Sequence, residues 1–274
     1  TAAPRRSTLA GPMSCLAFDF DDTLTDTTRT AAAFQEKYQR ELLRVLKRQA
    51  SAPEFEALRQ RVQAAPGSYG WERDGLTVAR ATSDAFILNR TVARLWLDQA
   101  QLFARPDERE AILELMYSYC YETAPLRDET AEVLSALVKT TTVGVVSNSA
   151  PDKLRKVLDA FPAVSVVGHA EKYAVDASWA LPEGRPSQLV VPGLARPVEV
   201  RRRRYFEALT AFSGGRWGEL TVVGDNFELD LSLPLAMGAQ VALVHTHSTP
   251  AYEVDFVTGR GGRVVRSLRE LVGA

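Results

Sequence analysis

Three carboxylates lie within four positions of one short stretch, "CLAFDFDDTLTD" (residues 15–26). Asp19, Asp21 and Asp22 directly follow an apolar segment that predicts a buried strand. Like charges at this spacing repel, and acids beside an apolar core are costly unless a cation lies among them. The stretch is therefore either a solvated turn or a metal site with a catalytic function.

Polar residues also end two other predicted strands. Ser147 and Asn148 follow "VGVV", while Asp225 and Asp230 lie in "GDNFELD" after "LTVV". Ligand sites of open parallel sheets lie beyond the carboxyl ends of the strands, so we expect these residues to share one crevice with Asp19. Taken singly, the serine is a common residue near a helix, and the two later acids could be a helix cap and a surface acid.

In the second half of the chain, predicted strands alternate with predicted helices. Predicted strands occupy 15–20, 141–149, 163–168, 219–225, 240–246 and the start of 263–272. Predicted helices occupy 128–139, 149–161 with Ser149 as its N-cap, 203–212 and the end of 263–272. Such alternation predicts an α/β fold with a Rossmann-like parallel sheet flanked by helices on both faces.

Residues 26–123 have a different, helical pattern. Helices are predicted at 29–49, 52–64, 84–103 and 106–122, with a glycine-containing loop over 65–75. We expect an all-helical cap domain over 26–123, inserted into a discontinuous core formed by 13–25 and 124–274. Within 170–200, "QLVVPG" and "PVEV" could pair as a small hairpin.

Composition excludes several classes. The 274 residues carry a formal net charge of -1, which gives no overall attraction to nucleic acid or to an anionic membrane. No stretch approaches the roughly 20 apolar residues of a membrane span. The start of the chain has no apolar signal region. Cys15 and Cys120 lie in apolar segments without metal-site spacing, so we expect buried thiols in a reducing, cytoplasmic compartment.

The three polar strand ends resemble the motifs of the haloacid dehalogenase (HAD) superfamily. The first motif, Asp-x-Asp-x-(Thr/Val)-(Leu/Val), is complete from Asp19 to Leu24. The second, a strand ending in Ser or Thr, is matched by Ser147, and the fourth by Gly224-Asp225 with Asp230 downstream. A helical cap after the first motif matches the family in position and type.

The resemblance implies a role for each of these residues. Asp19 attacks phosphorus and binds Mg²⁺, while Asp21 contributes a backbone carbonyl to the metal and its side chain as general acid and base. Asp225 and Asp230 complete the metal site. Ser147 and Asn148 hold phosphate oxygens. Thr23 is expected to order the loop and Asp22 to be solvated.

The third motif of the family is a lysine or arginine that neutralises the nucleophile and the phosphate. The usual Lys-Pro pair is absent here, which leaves two candidates. Arg202 lies in "EVRRRRYFEAL", just before a predicted helix, and Lys172 follows the strand over 163–168. We slightly prefer Arg202, although the four arginines at 201–204 could equally be mostly solvated.

The function that the resemblance implies is Mg²⁺-dependent hydrolysis of a small phosphorylated metabolite through an aspartyl-phosphate. A sugar-phosphate mutase needs the same acids and remains the enzymatic alternative, and a non-catalytic binding protein on this fold is the other. Dehalogenases resemble this fold but lack the acid at the position of Asp21. We expect neither a nucleic-acid nor a membrane partner.

Overall fold

The computed structural model describes residues 15–49 and 52–273. The start of the chain, including residues 13 and 14 of the expected core, lies outside this part. The chain divides into two compact units, one running to Thr25 and resuming at Leu126, the other spanning Asp26–Pro125. The inserted unit therefore ends two residues beyond the expected 26–123.

The described residues form strands and α-helices that we number in chain order. The strands are β1 (Cys15–Phe18), β2 (Gly70–Arg73), β3 (Leu76–Arg80), β4 (Thr142–Val146), β5 (Ser165–Val167), β6 (Gln188–Leu189), β7 (Val198–Glu199), β8 (Leu220–Gly224), β9 (Gln240–Val244) and β10 (Arg263–Val265). The α-helices are α1 (Thr28–Val45), α2 (Ala52–Ala64), α3 (Ala85–Gln99), α4 (Pro106–Cys120), α5 (Thr130–Leu137), α6 (Pro151–Val157), α7 (Arg203–Ser213), α8 (Ser232–Met237) and α9 (Ala251–Gly259).

The core unit is built on a six-stranded, fully parallel sheet with the order β10-β9-β8-β1-β4-β5. The expected α/β class with a Rossmann-like sheet is confirmed. β1 lies at the centre, where Phe18 is in register with Val145 of β4 and with Val223 of β8. The carboxyl ends of these three strands are consequently neighbours, and each is followed by one of the polar motifs.

Both faces of this sheet are covered by helices, which explains why its strands are mostly apolar. On one face Cys15 and Ala17 join a buried cluster with α7, α8 and α9. On the other face Leu16 and Phe18 pack with residues of α5 and α6. Because successive side chains of a strand point to opposite faces, alternate residues of β1 contribute to two different hydrophobic clusters.

The inserted unit has a core of its own, in which α1, α2, α3 and α4 contribute aromatic side chains. The Phe34 ring meets Phe86 edge-on at 4.7 Å between centroids, and Phe55 stacks on Trp96 at 5.2 Å. Such pairs are worth about 0.5–1.5 kcal/mol beyond the apolar area they bury. This unit is therefore a helical bundle with an independent hydrophobic core.

The inserted unit is not entirely helical, which corrects one expectation. The predicted loop over 65–75 contains β2, which pairs with β3 as an antiparallel hairpin. The turn consists of Asp74 and Gly75, both with positive φ (50° and 77°). An Asp-Gly pair between two strands is a strong hairpin signal because both residues tolerate that backbone conformation.

Two further segments of the core unit bear on the expectations. The hairpin expected within 170–200 is confirmed, since β6 and β7 pair antiparallel with Gln188 opposite Glu199. Helix α6 begins at Pro151, a favoured first helical residue, with Ala150 as its N-cap. The expectation that Ser149 caps this helix is therefore wrong. Among the helices of residues 15–49 and 52–273, none combines the length and apolarity needed to cross a membrane.

Candidate active site

Three buried carboxylates meet at the carboxyl edge of the sheet. Asp19 directly follows β1, and its N–H donates to the carbonyl of Val223 in β8 at 2.8 Å. Asp225 directly follows β8, and Asp230 lies in the π-helical turn Phe227–Leu231 behind it. Asp19, Asp225 and Asp230 are 9%, 5% and 3% exposed, and one oxygen of each lies within 4.8 Å of the others.

A single lysine inserts its ammonium group between two of these acids. Nζ of Lys172 lies 2.5 Å from Oδ1 of Asp19 and 2.9 Å from Oδ1 of Asp230. The lysine is 1% exposed and comes from the loop after β5. Its backbone N–H donates to Oδ1 of Asn148 at 2.8 Å, so the asparagine expected near the phosphate also fixes the lysine loop.

The protonation of this cluster reflects burial and crowding of negative charge. Burial raises the pKa of Asp19 to about 8, even though the Lys172 ammonium acts in the opposite direction. Burial, followed by the charges of Asp22, Asp230 and Asp19, raises the pKa of Asp225 well above its ordinary value. Burial lowers the pKa of Lys172, but the charges of Asp19 and Asp230 outweigh it and raise that pKa overall. The three carboxylates, when ionised, therefore carry more negative charge than the ammonium of Lys172 balances.

The geometry corrects the preference for Arg202 as the cation beside Asp19. Arg202 is buried, but its guanidinium donates from Nε to the carbonyl of Glu199 at 3.1 Å and from Nη1 to the carbonyl of Lys172. Lys172 is the cation that contacts Asp19. Arg202 instead holds the backbone from which Lys172 projects, and burial lowers its own pKa to about 10.

The other arginines of the 201–204 run bind nearby carboxylates. Arg201 pairs with Glu199 at 2.8 Å, and Arg203 pairs with Glu207 at 2.9 Å. The run therefore divides into one buried arginine, a partly buried pair of Arg201 with Glu199, and an exposed pair of Arg203 with Glu207 of the kind that contributes little stability.

The residues after Asp21 are buried, and their hydrogen bonds fix the backbone of the first motif. Thr23 donates from Oγ1 to Oδ1 of Asp225 at 2.9 Å, which links the first motif to the fourth. Asp22 is buried rather than solvated, contrary to expectation, and has a positive φ of 59°. Arg127, which follows the inserted unit in the chain, donates to the carbonyls of Asp22 and Thr23 at 2.5 and 3.0 Å. These two hydrogen bonds hold the turn in place.

Asp21 lies beside the second motif, where it is partly buried. Its Oδ2 accepts a hydrogen bond of 3.1 Å from the hydroxyl of Ser149. Ser147 is buried at the end of β4, and its Oγ accepts from the N–H of Ser149 at 3.1 Å. Sequence reasoning missed Ser149 as a neighbour of Asp21, although its spacing of two residues from Ser147 places it in the same loop.

Tyr205 of α7 is a second residue of the site that sequence reasoning missed. Its hydroxyl donates to the carbonyl of Asp230 at 2.8 Å, and its ring centroid lies 5.2 Å from Nζ of Lys172. The aromatic face helps to compensate the charge of a lysine that is removed from water. No motif marked this tyrosine, because its role depends on the packing of α7 against the sheet.

Known proteins share the sequence pattern of this chain. The model of the family described as haloacid dehalogenase-like hydrolases matches residues 13–238, which is most of the chain. The chain belongs to the HAD-like hydrolases. Its hydrolase class follows from that membership. A search of curated proteins found no match.

Solved structures similar to this HAD-like hydrolase include the HAD-hydrolase YfnB from Bacillus subtilis, which was solved bound to magnesium. YfnB is 14% identical with a TM-score of 0.51, and the match covers 95% of this chain and 97% of YfnB. A HAD phosphatase from Thermococcus onnurineus is 17% identical (TM-score 0.48, covering 94% and 96%). A 2-haloacid dehalogenase from Pseudomonas syringae is 16% identical (TM-score 0.46, covering 94% and 96%). These similarities concern the fold and include both phosphatase and dehalogenase structures.

The donor set of this HAD-like hydrolase fits a hard divalent cation. Asp19, Asp225 and Asp230 provide three carboxylates whose negative charge a single ammonium does not balance. Hard cations such as Mg²⁺ are bound by carboxylate, carbonyl and water oxygens. Burial raises the pKa values of Asp19 and Asp225, and a bound cation would favour their ionised forms. The site therefore has the chemistry to hold such an ion.

Proposed function

We propose that this HAD-like hydrolase is a Mg²⁺-dependent phosphomonoesterase that acts on a small phosphorylated metabolite through an aspartyl-phosphate at Asp19. The observation that carries the proposal is the convergence of Asp19, Asp225 and Asp230 at the edge of the sheet, with the ammonium of Lys172 between Asp19 and Asp230. A phosphoryl group repels an anionic nucleophile, so such a site must supply positive charge on both sides of the reacting atoms.

The reaction that we propose proceeds in two displacements. An oxygen of Asp19 bonds to phosphorus while the ester P–O bond breaks, and the carboxyl group of Asp21 gives its proton to the departing oxygen. Asp21 then accepts a proton from the water that attacks the aspartyl-phosphate, which releases phosphate and restores Asp19. Lys172 offsets negative charge next to Asp19 throughout. Mg²⁺, held by Asp19, Asp225, Asp230 and the Asp21 carbonyl, would supply the remaining positive charge toward the phosphate.

Asp21 favours phosphate esters over halogenated acids. A halide leaves as a stable anion and needs no proton, whereas the oxygen of an alkyl ester leaves poorly unless it is protonated. The side chain of Asp21 is partly exposed and hydrogen-bonded two residues after Asp19, which suits a group that exchanges protons with a substrate. We propose on this basis that phosphate release is the activity.

Phosphate release and halide release distinguish the two reactions directly. The purified protein is incubated with a panel of phosphorylated metabolites, with 4-nitrophenyl phosphate and with 2-haloacids, each in Mg²⁺ and in EDTA. We expect Mg²⁺-dependent phosphate release and no halide release. Halide release that survives EDTA would overturn the proposal, and transfer of phosphate between sugar phosphates without net release would favour a mutase.

The proposal also covers the binding partners and the cellular compartment. We propose a small phosphorylated substrate, with neither nucleic acid nor membrane as a partner. Cys15 and Cys120 are buried cysteine thiols, which supports a reducing compartment such as the cytoplasm.

Mg²⁺ is expected to raise the melting temperature of the wild-type protein, because an ion that binds only the folded state stabilises it. At about 100 times the dissociation constant the gain is about 2.7 kcal/mol. Asp225→Asn, which removes one charge from the cluster, should show a much smaller shift. Differential scanning fluorimetry with Mg²⁺ and with K⁺ as a control measures the effect, and equal shifts in the two proteins would contradict this metal site.

Gly224→Ala is expected to weaken Mg²⁺ binding by about 10–100-fold, the range found when groups supporting metal ligands are lost. A Cβ at position 224 would lie 2.5 Å from Cβ and 2.7 Å from Oδ2 of Asp230, closer than such atoms approach, so Asp230 must move. Calorimetric titration with Mg²⁺ measures the change. Gly218→Ala is the matched control, because nothing lies within 4 Å of its added Cβ.

A further inference from the structure

Ser149 holds a fixed position next to Asp21. Its N–H donates to Oγ of Ser147 at 3.1 Å, and its carbonyl accepts from the N–H of His169 at 3.1 Å. The backbone of Ser149 is thereby anchored to the ends of β4 and β5. This fixed backbone determines the position of the Ser149 hydroxyl, which donates to Oδ2 of Asp21 at 3.1 Å.

The direction of this hydrogen bond is set by Lys153, which lies one turn further along the chain in α6. Nζ of Lys153 donates to Oγ of Ser149 at 3.4 Å. An ammonium group can only donate, so the serine oxygen must accept from it and its hydrogen is left for Asp21. Lys153 is partly buried; burial lowers its pKa, and the charge of Asp21 acts in the opposite direction. The Lys153–Ser149 pair therefore presents a donor to one oxygen of Asp21.

We propose that Ser149 is a positioning residue for Asp21, with Lys153 as its support, an inference that rests on the proposed phosphatase function. The serine hydroxyl fixes Oδ2 and so the orientation of the carboxyl group, and the proton that moves is assigned to Oδ1. As the ester P–O bond breaks, the proton passes from Oδ1 to the leaving oxygen. Oδ1 then accepts a proton from the water that attacks the aspartyl-phosphate. Proton balance is kept within the carboxyl group of Asp21.

Substituted phenyl phosphates test this role, because they have similar shapes but leaving groups of different acidity. 4-Nitrophenolate leaves readily without a proton, whereas phenolate leaves poorly unless protonated. General acid catalysis is worth about 10²–10⁴-fold, and loss of its orientation forfeits part of that. In Ser149→Ala we expect kcat/KM to fall by about 10–100-fold for phenyl phosphate and by less than about 3-fold for 4-nitrophenyl phosphate. The ratio kcat/KM covers substrate binding and the first displacement and excludes hydrolysis of the aspartyl-phosphate.

Three variants accompany this measurement. Ser149→Thr keeps the hydroxyl and should restore the wild-type ratio between the two substrates. Ser149→Cys keeps the volume with a weaker donor and should give an intermediate ratio, which serves if the alanine variant fails to fold. Ser178→Ala is the matched control, since Ser178 also donates to an aspartate, Oδ1 of Asp176 at 2.6 Å, in an exposed turn. It should behave as wild type on both substrates.

The outcomes separate this inference from the function on which it rests. Wild-type turnover with an equal loss on both substrates in Ser149→Ala, or with no loss, would overturn the positioning role alone. No turnover of either substrate by the wild type would overturn the proposed function and this inference with it. A loss confined to phenyl phosphate, restored by threonine, would support it.

Discussion

Asp19→Asn is expected to lower phosphate release by at least about 10³-fold, since removal of a covalent nucleophile typically leaves only residual catalysis. An amide nitrogen or oxygen does not form the acyl phosphate that a carboxylate forms. The position is otherwise preserved, because Oδ1 of asparagine can still accept from the ammonium of Lys172, which lies 2.5 Å from Asp19. Phosphate release at saturating Mg²⁺ measures the loss.

The same variant should remain folded, and its stability should depend differently on pH. Asp19 has an ordinary pKa of 3.8 and a folded pKa of about 8, mainly through burial. A group with a raised pKa holds a proton in the folded state that it loses in the unfolded state, so metal-free wild type loses stability as the pH rises from about 4 to about 8. Asparagine cannot ionise and lacks this loss. In EDTA at pH 8, Asp19→Asn should melt no lower than wild type.

Asp152→Asn is the matched control for this prediction. Asp152 lies at the start of α6 with a fully exposed side chain that pairs with exposed Arg155. Its replacement should leave phosphate release at the wild-type rate. If Asp19→Asn instead kept more than a tenth of the activity, Asp19 would not be the nucleophile, or the phosphate would come from a contaminating enzyme.

The fold was predictable because the parallel strands are apolar over most of their length. "CLAF" and "TVGVV" became β1 and β4, and the acids and serine that interrupt the apolar runs mark the carboxyl edge of the sheet. A strand buried on both faces has no alternation that could be misassigned. The neighbourhood of Asp19, Ser147 and Asp225 followed from that edge, so their placement needed no knowledge of loop geometry.

The choice between Lys172 and Arg202 was beyond the sequence for a reason that the backbone shows. His169 and Glu171, in the loop that leads to Lys172, have φ values of 51° and 46°. Non-glycine residues adopt this left-handed conformation uncommonly, and no residue type in "GHAEK" predicts it. These turns direct the lysine into the site, while a helix start directs Arg202 toward the carbonyl of Lys172.

Two further errors have local causes. Asp22 was expected to be solvated, but it is buried, and Arg127 donates to its backbone carbonyl from more than a hundred residues further along the chain. The hairpin of β2 and β3 was missed because the glycines of 65–75 were weighed together as a loop signal. The Asp74-Gly75 pair, taken alone, predicts a tight turn between two strands.

Lys172→Met is expected to destabilise the metal-free protein by about 3–5 kcal/mol at pH 8, where Asp19 ionises, which is the usual cost of removing one partner from a buried ion pair. Methionine keeps the length of the side chain but leaves the carboxylates of Asp19 and Asp230 buried without the ammonium. Because Asp19 can then escape the cost only by binding a proton, the deficit should shrink as the pH falls. Urea denaturation in EDTA at pH 5 and pH 8 measures it, with exposed Lys139→Met as the control.

The variant should also lose at least about 10²-fold in phosphate release, since an electrostatic group at the reacting atoms is typically worth that much. Saturating Mg²⁺ should recover part of the stability without recovering the activity, because a cation among Asp19, Asp225 and Asp230 does not replace an ammonium beside Asp19. Arg202→Met provides the decisive comparison. This variant removes the hydrogen bond to the carbonyl of Lys172 but keeps the Lys172 side chain and its ammonium group. It should therefore lower stability while retaining more activity than Lys172→Met. The reverse order of activities would return the catalytic charge to Arg202.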